Sequence, residues 1–412
     1  MYHKAYKTEL VINNKQETLL KQHLGCARWA YNWALSKKIE AFEKHKTDKS
    51  VKMPTAFSLD KEFNKLKKSE IPWMYDSSCV VPQQAMQDCD NAFKRFFERC
   101  KKKTKGKKGF PKFKSKKNDK KSFRVNGPQV KVTDTGIQFP KIGKVKLSQK
   151  DYIPTDSKIL SATISQRADR WFVSVLIEQP DLELIIAKND RVGIDLGIKN
   201  LVTLSTGEVF VNPKALKSNL KRLKKRQKQA SKKQKGSKNR EKANLKLARL
   251  YYTISNIRKD CLHKITSKIV AENQVIVLED LKVKNMMKNH KLAQAISDVG
   301  FYEFRRQIEY KAKWHGRTVV VADTFYASSK LCCACGWKNE KLTLQDRIFE
   351  CTMCYMKIDR DLNAALNLAK YNLLNSGSSS RIKACGDGSA AVSNPLSLSL
   401  KQESTGSTFS VA

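Results

Sequence analysis

The sequence predicts a multidomain α+β protein, and three observations support this prediction. Its 412 residues exceed the size of one ordinary domain. Apolar residues at helical spacing dominate residues 15–100, whereas short alternating strands dominate residues 122–187. Farther along, apolar strands that end in a carboxylate alternate with long helical stretches. We therefore expect a helical lobe, an antiparallel β domain and an α/β domain that carries the chemistry.

The composition points to a nucleic-acid partner. The chain has 81 basic against 39 acidic residues and a net charge of +42. A charge of this size destabilises a compact protein by self-repulsion and is typical of proteins that bind polyanions. A membrane surface is the weaker alternative, because the sequence has neither a run of about 18 apolar residues nor a signal-peptide pattern. We expect no membrane association and a cytoplasmic location.

The N-terminal region combines a strand with a helical lobe. Residues 1–12 alternate as in a strand, and Asn14 with Glu17 has the spacing of a capping box that opens a helix. A helix–turn–helix is one interpretation of this helical region; the core of a small helical bundle is the other. Residues 40–100 continue with helical spacing, and turns are expected near Pro72 and Pro82. We assign residues 13–100 to the helical lobe.

A lysine-rich stretch succeeds the helical lobe. Residues 101–121 contain twelve lysines and one acid, with Phe110 and Phe113 among them. Such a run is usually only solvated, but the interleaved aromatic residues and glycines favour contact with phosphates. Lys112 and Lys114 are our candidate nucleic-acid contacts here.

Between residues 122 and 187 the sequence pattern changes to short alternating strands with turn residues between them, which predicts an antiparallel, β-barrel-like domain. The strand in residues 1–12 could complete this barrel, which would make the helical lobe an insertion. The β domain therefore comprises residues 1–12 and 101–187.

Three acidic stretches mark the α/β domain, which we place at residues 188–374. Asp195 ends one apolar strand, Glu279 ends a later one, and Asp359 and Asp361 lie at the start of a helix. An ionised carboxylate in a core is costly unless a cation neutralises it, so the pattern predicts a divalent-metal site. Acids on a first strand, a later strand and a final helix have the layout of an RNase H-like nuclease, with two metals about 3.5–4 Å apart. Taken singly, Asp359 or Asp361 could be a helix N-cap, and Glu279 a surface acid.

A basic helical pair separates the first two acidic strands. Residues 214–249 are dense in Lys and Arg, with a narrow apolar stripe and a single acid. The candidate nucleic-acid contacts on it are Lys221, Arg222, Lys225 and Arg226.

Four cysteines predict a zinc ribbon at residues 328–358. The spacing C-x2-C-x15-C-x2-C is that of a tetrahedral zinc site, with ligands Cys332, Cys335, Cys351 and Cys354. Four thiolates close the coordination shell, so this zinc is structural. Cys333 is an additional thiol that we do not expect to bind zinc. Residues 375–412 are rich in Ser and Gly and are expected to be disordered.

Several of these stretches together resemble the TnpB family, the RNA-guided DNA endonucleases of insertion sequences. The resemblance covers roughly residues 1–374 and rests on the four cysteines and on residues 27–32, 109–113, 193–199, 278–281 and 359–365. It implies a RuvC-type nuclease domain, a wedge domain around a helical recognition lobe, a guide RNA and a double-stranded DNA target beside a short recognised motif. It also implies a monomer or weak dimer in the RNA complex, in a prokaryotic, nucleoid-associated setting.

The resemblance also implies roles for individual residues. Asp195, Glu279 and Asp361 match the family's magnesium-binding catalytic triad, and Asp359 becomes a supporting acid. Gln83 matches a polar position on the recognition helix. Base pairing with the guide would supply sequence specificity, while Lys and Arg supply sequence-neutral affinity.

Two other functions compete with RNA-guided cleavage. A nuclease-inactive, RNA-guided DNA-binding repressor is expected to have lost a triad acid, and all three are present here. A transposase, or a transposition-accessory DNA-binding protein, could also carry acids, but the ribbon and the separate lobe and β domain favour the nuclease.

Overall fold

The structure, a computed structural model, describes residues 2–102, 109–117, 120–180, 186–343 and 345–372. The predicted tail and part of the lysine-rich stretch lie outside the described residues. The chain divides into a compact unit, Met1–Tyr371, and a second unit, Asn372–Ala412, of which only Asn372 belongs to the described residues.

The N-terminal region is a strand followed by three helices: β1 (Tyr2–Val11), α1 (Asn14–Thr47), α2 (Ala56–Ser69) and α3 (Val80–Lys101), with a 3-10 turn at Pro72–Asp76 before α3. The capping box of α1 is formed by Asn13 and Gln16, so the predicted box at Asn14 was wrong by one residue. Pro82 lies in the first turn of α3, where a missing N–H costs nothing, and not in a turn between elements.

The helical lobe packs as a bundle. Helix α1 is one continuous helix of 34 residues, so any turn between two helices of the lobe lies after Thr47. Its buried face contacts α2 and α3 through an apolar core that includes Leu20, Leu35, Phe63, Met86 and Phe93. The same core continues into the β domain, which fixes the lobe to the sheet beneath it.

A seven-stranded antiparallel sheet forms the β domain, with β2 (Ser122–Asn126), β3 (Lys131–Thr133), β4 (Gly136–Phe139), β5 (Gly143–Leu147), β6 (Ile159–Arg167) and β7 (Arg170–Gln179). The strand order is β2-β6-β7-β1-β5-β4-β3, which places β1 between β7 and β5. Within the described residues, the sheet runs openly from β2 to β3 without a hydrogen-bonded closure. The N-terminal strand thus joins this sheet, as its alternation suggests.

The second half of the chain builds a five-stranded sheet flanked by helices. Its elements are β8 (Asn189–Leu196), β9 (Asn200–Leu204), β10 (Val209–Val211), α4 (Ala215–Ser231), α5 (Lys238–Glu272), β11 (Asn273–Glu279), α6 (Val283–Met286), α7 (His290–Val299), α8 (Phe301–Trp314), β12 (Thr318–Ala322), β13 (Ile348–Glu350), β14 (Lys357–Asp359) and α9 (Arg360–Lys370). The strand order is β10-β9-β8-β11-β12. Strands β8, β11 and β12 are parallel, and β9 and β10 are antiparallel to their neighbours.

The two faces of this sheet are covered by different helices. Val192, Ile194, Ile276 and Leu278 pack with residues of α5 and α8, whereas Val277 packs with α9. Because side chains alternate between faces along a strand, residues 193, 195 and 279 lie on the α9 face. The candidate acids of β8 and β11 therefore share one face.

Lys311 lies buried between α5 and α8 and receives no counter-charge from its hydrogen-bond partners. Its ammonium donates to the backbone oxygen of His263 at 2.9 Å, and to the hydroxyls of Thr266 and Ser267 at 2.8 Å. Burial lowers the pKa of Lys311 to about 8. Three neutral oxygens satisfy the donors but compensate the lost hydration of the charge only in part.

We expect the stability of the protein to rise with pH because of Lys311. A lysine of the unfolded chain titrates near pH 10.4, so between about pH 8 and 10.4 the unfolded state binds more protons. The free energy of unfolding should therefore increase over that interval, and Lys311→Met should flatten the increase. Urea denaturation at a series of pH values measures this, with the exposed Lys313→Met on the same helix as the control. Equal slopes for Lys311→Met and wild type would contradict the assignment.

Among the described residues, none of the helices is long and apolar enough to cross a membrane.

Candidate active site, zinc ribbon and nucleic-acid surfaces

The strand register brings Asp195 and Glu279 together. Ile194 of β8 is paired with Leu278 of β11, and the two strands are parallel. Asp195 and Glu279, the next residues of each strand, therefore lie side by side at the carboxyl end of the sheet. Ligand sites of open α/β sheets lie at this end of the strands. Both side chains point to the face covered by α9.

Gly193 brings the third acid to the same place. A Cβ built on Gly193 would lie 2.0 Å from the backbone oxygen of Ala365 and 2.3 Å from the backbone nitrogen of Ala369, so α9 lies directly on β8. Asp361 is four residues before Ala365, which is about one helical turn closer to the helix start. Arg191 on the same face donates to the backbone oxygen of Tyr371 just after the helix, which fixes its other end.

Gly193→Ala is therefore expected to damage both the fold and the site. The added methyl group would collide with backbone atoms that cannot rotate away, and overpacking of this kind costs about 1–3 kcal/mol or more. Thermal unfolding should show the loss, and any activity of this site should fall because Asp361 moves with α9. A wild-type melting temperature for Gly193→Ala would contradict the close packing.

The electrostatics of the site favour a bound cation. Burial, together with the negative charges of Glu279 and Asp361, raises the pKa of Asp195 well above its usual value, and Arg360 opposes the shift. No described residue donates a hydrogen bond to the Asp195 carboxylate. Burial also raises the pKa of Glu279, against a hydrogen bond from the Ser328 hydroxyl. Adjacent carboxylates with so little compensation suit a divalent metal, which prefers oxygen ligands.

Two neighbouring acids, Asp359 and Asp280, are bound by other partners. The carboxylate of Asp359 is the N-cap of α9 and accepts hydrogen bonds from the backbone N–H groups of Asp361 and Leu362 at 2.9 and 3.0 Å. Asp280 accepts from Arg305 at 2.8 Å and from the Thr324 hydroxyl at 2.9 Å, outside the Asp195 group. The N-cap interpretation thus applies to Asp359. The Asp361 carboxylate does not cap the helix, and one of its oxygens lies 3.2 Å from a guanidinium nitrogen of Arg360.

The four predicted zinc ligands converge. Their sulfur atoms all lie within 4.8 Å of one another, with Cys332–Cys354 at 3.6 Å and Cys335–Cys351 at 3.5 Å. Sulfur atoms about 2.3 Å from a tetrahedral zinc would be spaced by about 3.8 Å, so the donor set fits zinc. Within the described residues, this is the one group of three or more Cys, His, Asp or Glu side chains that lie close enough together to hold a metal ion as they stand, and the three candidate acids do not form such a group. The Cys333 thiol instead contacts the Met356 sulfur at 3.7 Å.

Two buried asparagines of α9 attach the ribbon to this helix. Asn363 of α9 accepts from the backbone N–H of Cys333 at 2.9 Å and donates to the backbone oxygen of Leu331 at 2.6 Å. Asn367 donates to the backbone oxygens of Ser328 and Leu331 at 2.8 and 2.6 Å. Since α9 also carries Asp361, the order of the ribbon and the position of this acid are mechanically linked.

The basic candidates on α4 face solvent beside α5. Lys221, Arg222 and Lys225 are exposed and Arg226 is half-buried. Arg222 and Arg226, together with Lys246 and Arg249 of α5, line a cleft of about 290 Å³. A cleft of one sign of charge concentrates polyanions, which fits a phosphate backbone.

The remaining candidates differ in their surroundings. Lys112 is exposed. Lys114 is held on α1: its backbone N–H and carbonyl bind the Asn32 amide at 2.8 and 2.9 Å, and its ammonium lies 3.7 Å from the centre of the Tyr31 ring. Gln83 donates to Asp60 of α2 at 3.0 Å, which orients its side chain within the lobe. Phe110 packs against Phe93 and Phe96, with ring centres 5.6 and 5.1 Å away, and so anchors the lysine-rich stretch.

Comparison with known proteins shows which family this chain belongs to. Residues 174–290 match a family model described as "Probable transposase" of the IS605 OrfB type, residues 301–368 match a "Cas12f1-like, TNB domain", and residues 1–47 match a "Helix-turn-helix domain". A "Putative RNA-guided DNA endonuclease" of Streptomyces pristinaespiralis is 36% identical over 387 residues, which cover 93% of this chain and 91% of that protein. The chain is a member of the TnpB family.

One further relative agrees with this membership, and one solved structure is similar in fold. The "Putative RNA-guided DNA endonuclease InsQ" of Escherichia coli K12 is 30% identical, over 88% of this chain and 91% of that protein. In fold, the chain is similar to the protein of a Cas12f1-sgRNA-target DNA complex, with a TM-score of 0.51 and 17% identity, over 86% of this chain and 81% of that one.

Three residues of this TnpB-family site were not predicted from the sequence. Gly193, within the Asp195 strand, could have been noticed, because a glycine inside a strand often marks close approach of another backbone. Arg360 precedes Asp361 directly, and only the helix geometry reveals that it faces the carboxylate. Ser328 reaches Glu279 from a loop more than forty residues away, for which the sequence offers no local signal.

Proposed function

We propose that this protein is an RNA-guided endonuclease that cleaves double-stranded DNA at the Asp195, Glu279 and Asp361 site. The observation that supports this best is the convergence of these acids from β8, β11 and α9, on one face and at one end of the sheet. In this proposal the mixed sheet with its final helix is an RNase H-like, RuvC-type domain. In this proposal the β domain is the wedge and the helices are the recognition lobe.

The three carboxylates would hold two magnesium ions. When bound, such ions activate water and stabilise the leaving oxygen of a phosphodiester. The protein contributes the positions of the ligands: Asp195 is fixed by the strand pairing, Glu279 by Ser328, and Asp361 by the N-cap at Asp359. Zinc in the ribbon would be structural, since four thiolates leave no open position for water.

The basic surfaces would carry the guide RNA and the target DNA. The α4–α5 cleft and the exposed lysines near Lys112 offer sequence-neutral contacts to phosphates, while pairing with the guide supplies sequence. Gln83, on a recognition-lobe helix, is our candidate for reading the motif beside the target.

This proposal is tested by the RNA that the protein retains. The full-length protein should be purified from cells that also express its flanking genomic region, and the bound RNA sequenced. One discrete RNA that ends in a variable segment is the result we expect. A mixture of unrelated RNAs would show that the net charge of +42 binds RNA only non-specifically.

A further inference from the structure

A glycine interrupts the middle of α1 without a structural reason inside the protein. Gly25 lies at the twelfth position of a helix of 34 residues, where glycine is less favourable than alanine. A Cβ built on Gly25 would meet nothing within 4 Å. The packing of α1 therefore does not require a glycine here, in contrast to Gly193, where backbone atoms fill the space.

Gly25 is the meeting point of two open clefts. One cleft, of about 700 Å³, and another, of about 680 Å³, share Gly25 and Arg28 in their linings. Both volumes are in the range of ligand sites. Arg28 is half-buried and forms neither a hydrogen bond nor an ion pair with a described residue. The two clefts together form one groove across α1, which we call the α1 groove.

One half of the α1 groove is aromatic. It is lined by Trp29, Trp33 and Trp73, together with polar residues that include Gln22 and Asp76. Trp73 is 46% exposed and stands edge-on to Trp29, with ring centres 6.0 Å apart. An exposed indole held by a second indole is a rigid platform for a nucleobase, since every base has a π face.

The other half of the α1 groove is basic. Its lining includes Lys21, Arg28, Lys116, Lys120 and Lys121. The lining also includes Glu241 and Asp169, of which Asp169 is already bound by Arg249 through contacts of 3.0 and 2.5 Å. Lys21 is paired with Glu17 at 2.8 Å, but the cations of the lining still outnumber its acids. This half therefore offers cations to phosphates.

We propose that the α1 groove binds one nucleotide of a nucleic-acid strand, with its base on Trp73 and its phosphate over Gly25 against Arg28. The missing Cβ lets the sugar–phosphate backbone approach the helix closely. The inference deepens the proposed function by assigning a subsite and rests on it for the strand that supplies the nucleotide. That strand is either RNA or DNA, and crosslinking from each strand in turn separates the two.

In the first experiment, one substitution at Gly25 is expected to raise the stability of the protein and to lower its affinity for nucleic acid. Gly25→Ala and Gly25→Leu should raise the melting temperature, because both residues favour helix more than glycine does. Gly25→Leu should weaken binding of the copurified guide RNA, or of matched DNA to the RNA complex, by about tenfold, within the range expected for one stacked base. Thr18→Leu, on the same helix outside the groove, should leave both affinities unchanged. Unchanged affinity of Gly25→Leu for both nucleic acids would overturn the inference.

The second experiment asks which strand lies on Trp73. Guide RNA containing 5-iodouridine, or target DNA containing 5-iododeoxyuridine, is irradiated in the complex, and crosslinked peptides are identified by mass spectrometry. A crosslink to Trp73 from one of the two strands is expected, and it should vanish in Trp73→Ala but persist in Tyr75→Ala on the same 3-10 turn. No crosslink at Trp73 from either strand would overturn the inference. If that happened while the wild-type protein still bound its RNA and cut matched DNA, only the inference about the α1 groove would fail, and the proposed function would stand.

Discussion

Asp195→Ala is expected to abolish DNA cleavage, with a rate loss of at least about 10³-fold. Metal-ion stabilisation of the transition state is worth several kcal/mol, and each 1.36 kcal/mol changes the rate tenfold. The negative charges of both Glu279 and Asp361 act on Asp195, so its loss would remove one of the three carboxylates proposed to hold the metal. Guide RNA binding should persist, because the basic surfaces are elsewhere. Cleavage of matched DNA with magnesium, and RNA affinity, are the two measurements.

The matched control for this substitution is Asp280→Ala. Asp280 is a carboxylate one residue from Glu279, but it is bound by Arg305 and Thr324, away from the Asp195 group. We expect Asp280→Ala to cut within a few-fold of wild type. A further readout is stability in EDTA: Asp195→Asn should melt at a higher temperature than wild type, because it removes a half-buried charge that lies beside like charges. Loss of RNA binding along with cleavage would instead indicate a structural role for Asp195.

Cys335→Ser is expected to release the zinc and to unfold the ribbon locally. Binding free energies of structural zinc sites reach about 10–16 kcal/mol, and in such sites this free energy is folding free energy. Asn363 and Asn367 bind the ribbon to α9, so DNA cleavage should fall as well, although no zinc ligand belongs to the triad. Zinc content per chain and hydrogen exchange of residues 331–358 measure the two effects.

Cys333→Ala is the control for the zinc site. Its thiol contacts Met356 and not the four converging sulfurs, so zinc content should remain at the wild-type value. If Cys335→Ser retained its zinc, or Cys333→Ala lost it, the assignment of ligands would be wrong.

The sequence predicted those parts of the fold that depend on local periodicity. The strands that carry Asp195 and Glu279, the basic helical pair and the cysteine spacing each leave a pattern within about thirty residues. The capping box was misplaced by one residue because Asn13 and Asn14 both suit the position, and only the backbone angles distinguish them. The packing of the Phe110 ring, which is 37% exposed, against Phe93 and Phe96 had no local signal, and contact of this segment with phosphates stays a prediction.

The parts that the sequence could not predict arise from contacts across long stretches of chain. Ser328 approaches Glu279, and Asn32 holds Lys114, only after whole elements have packed. The open space beside Gly25 is likewise invisible in the sequence, where a glycine in a helix suggests only lower stability.

The most direct test of RNA-guided cleavage is to change the guide. The protein is assembled with RNAs that carry either its own variable segment or a chosen replacement, and each complex is incubated with magnesium and DNA that contains both matching sites. We predict that cleavage moves to the site that matches the guide, and that Asp195→Ala cuts neither site. Cleavage at an unchanged position whatever the guide, or activity that survives in Asp195→Ala, would contradict the proposed function.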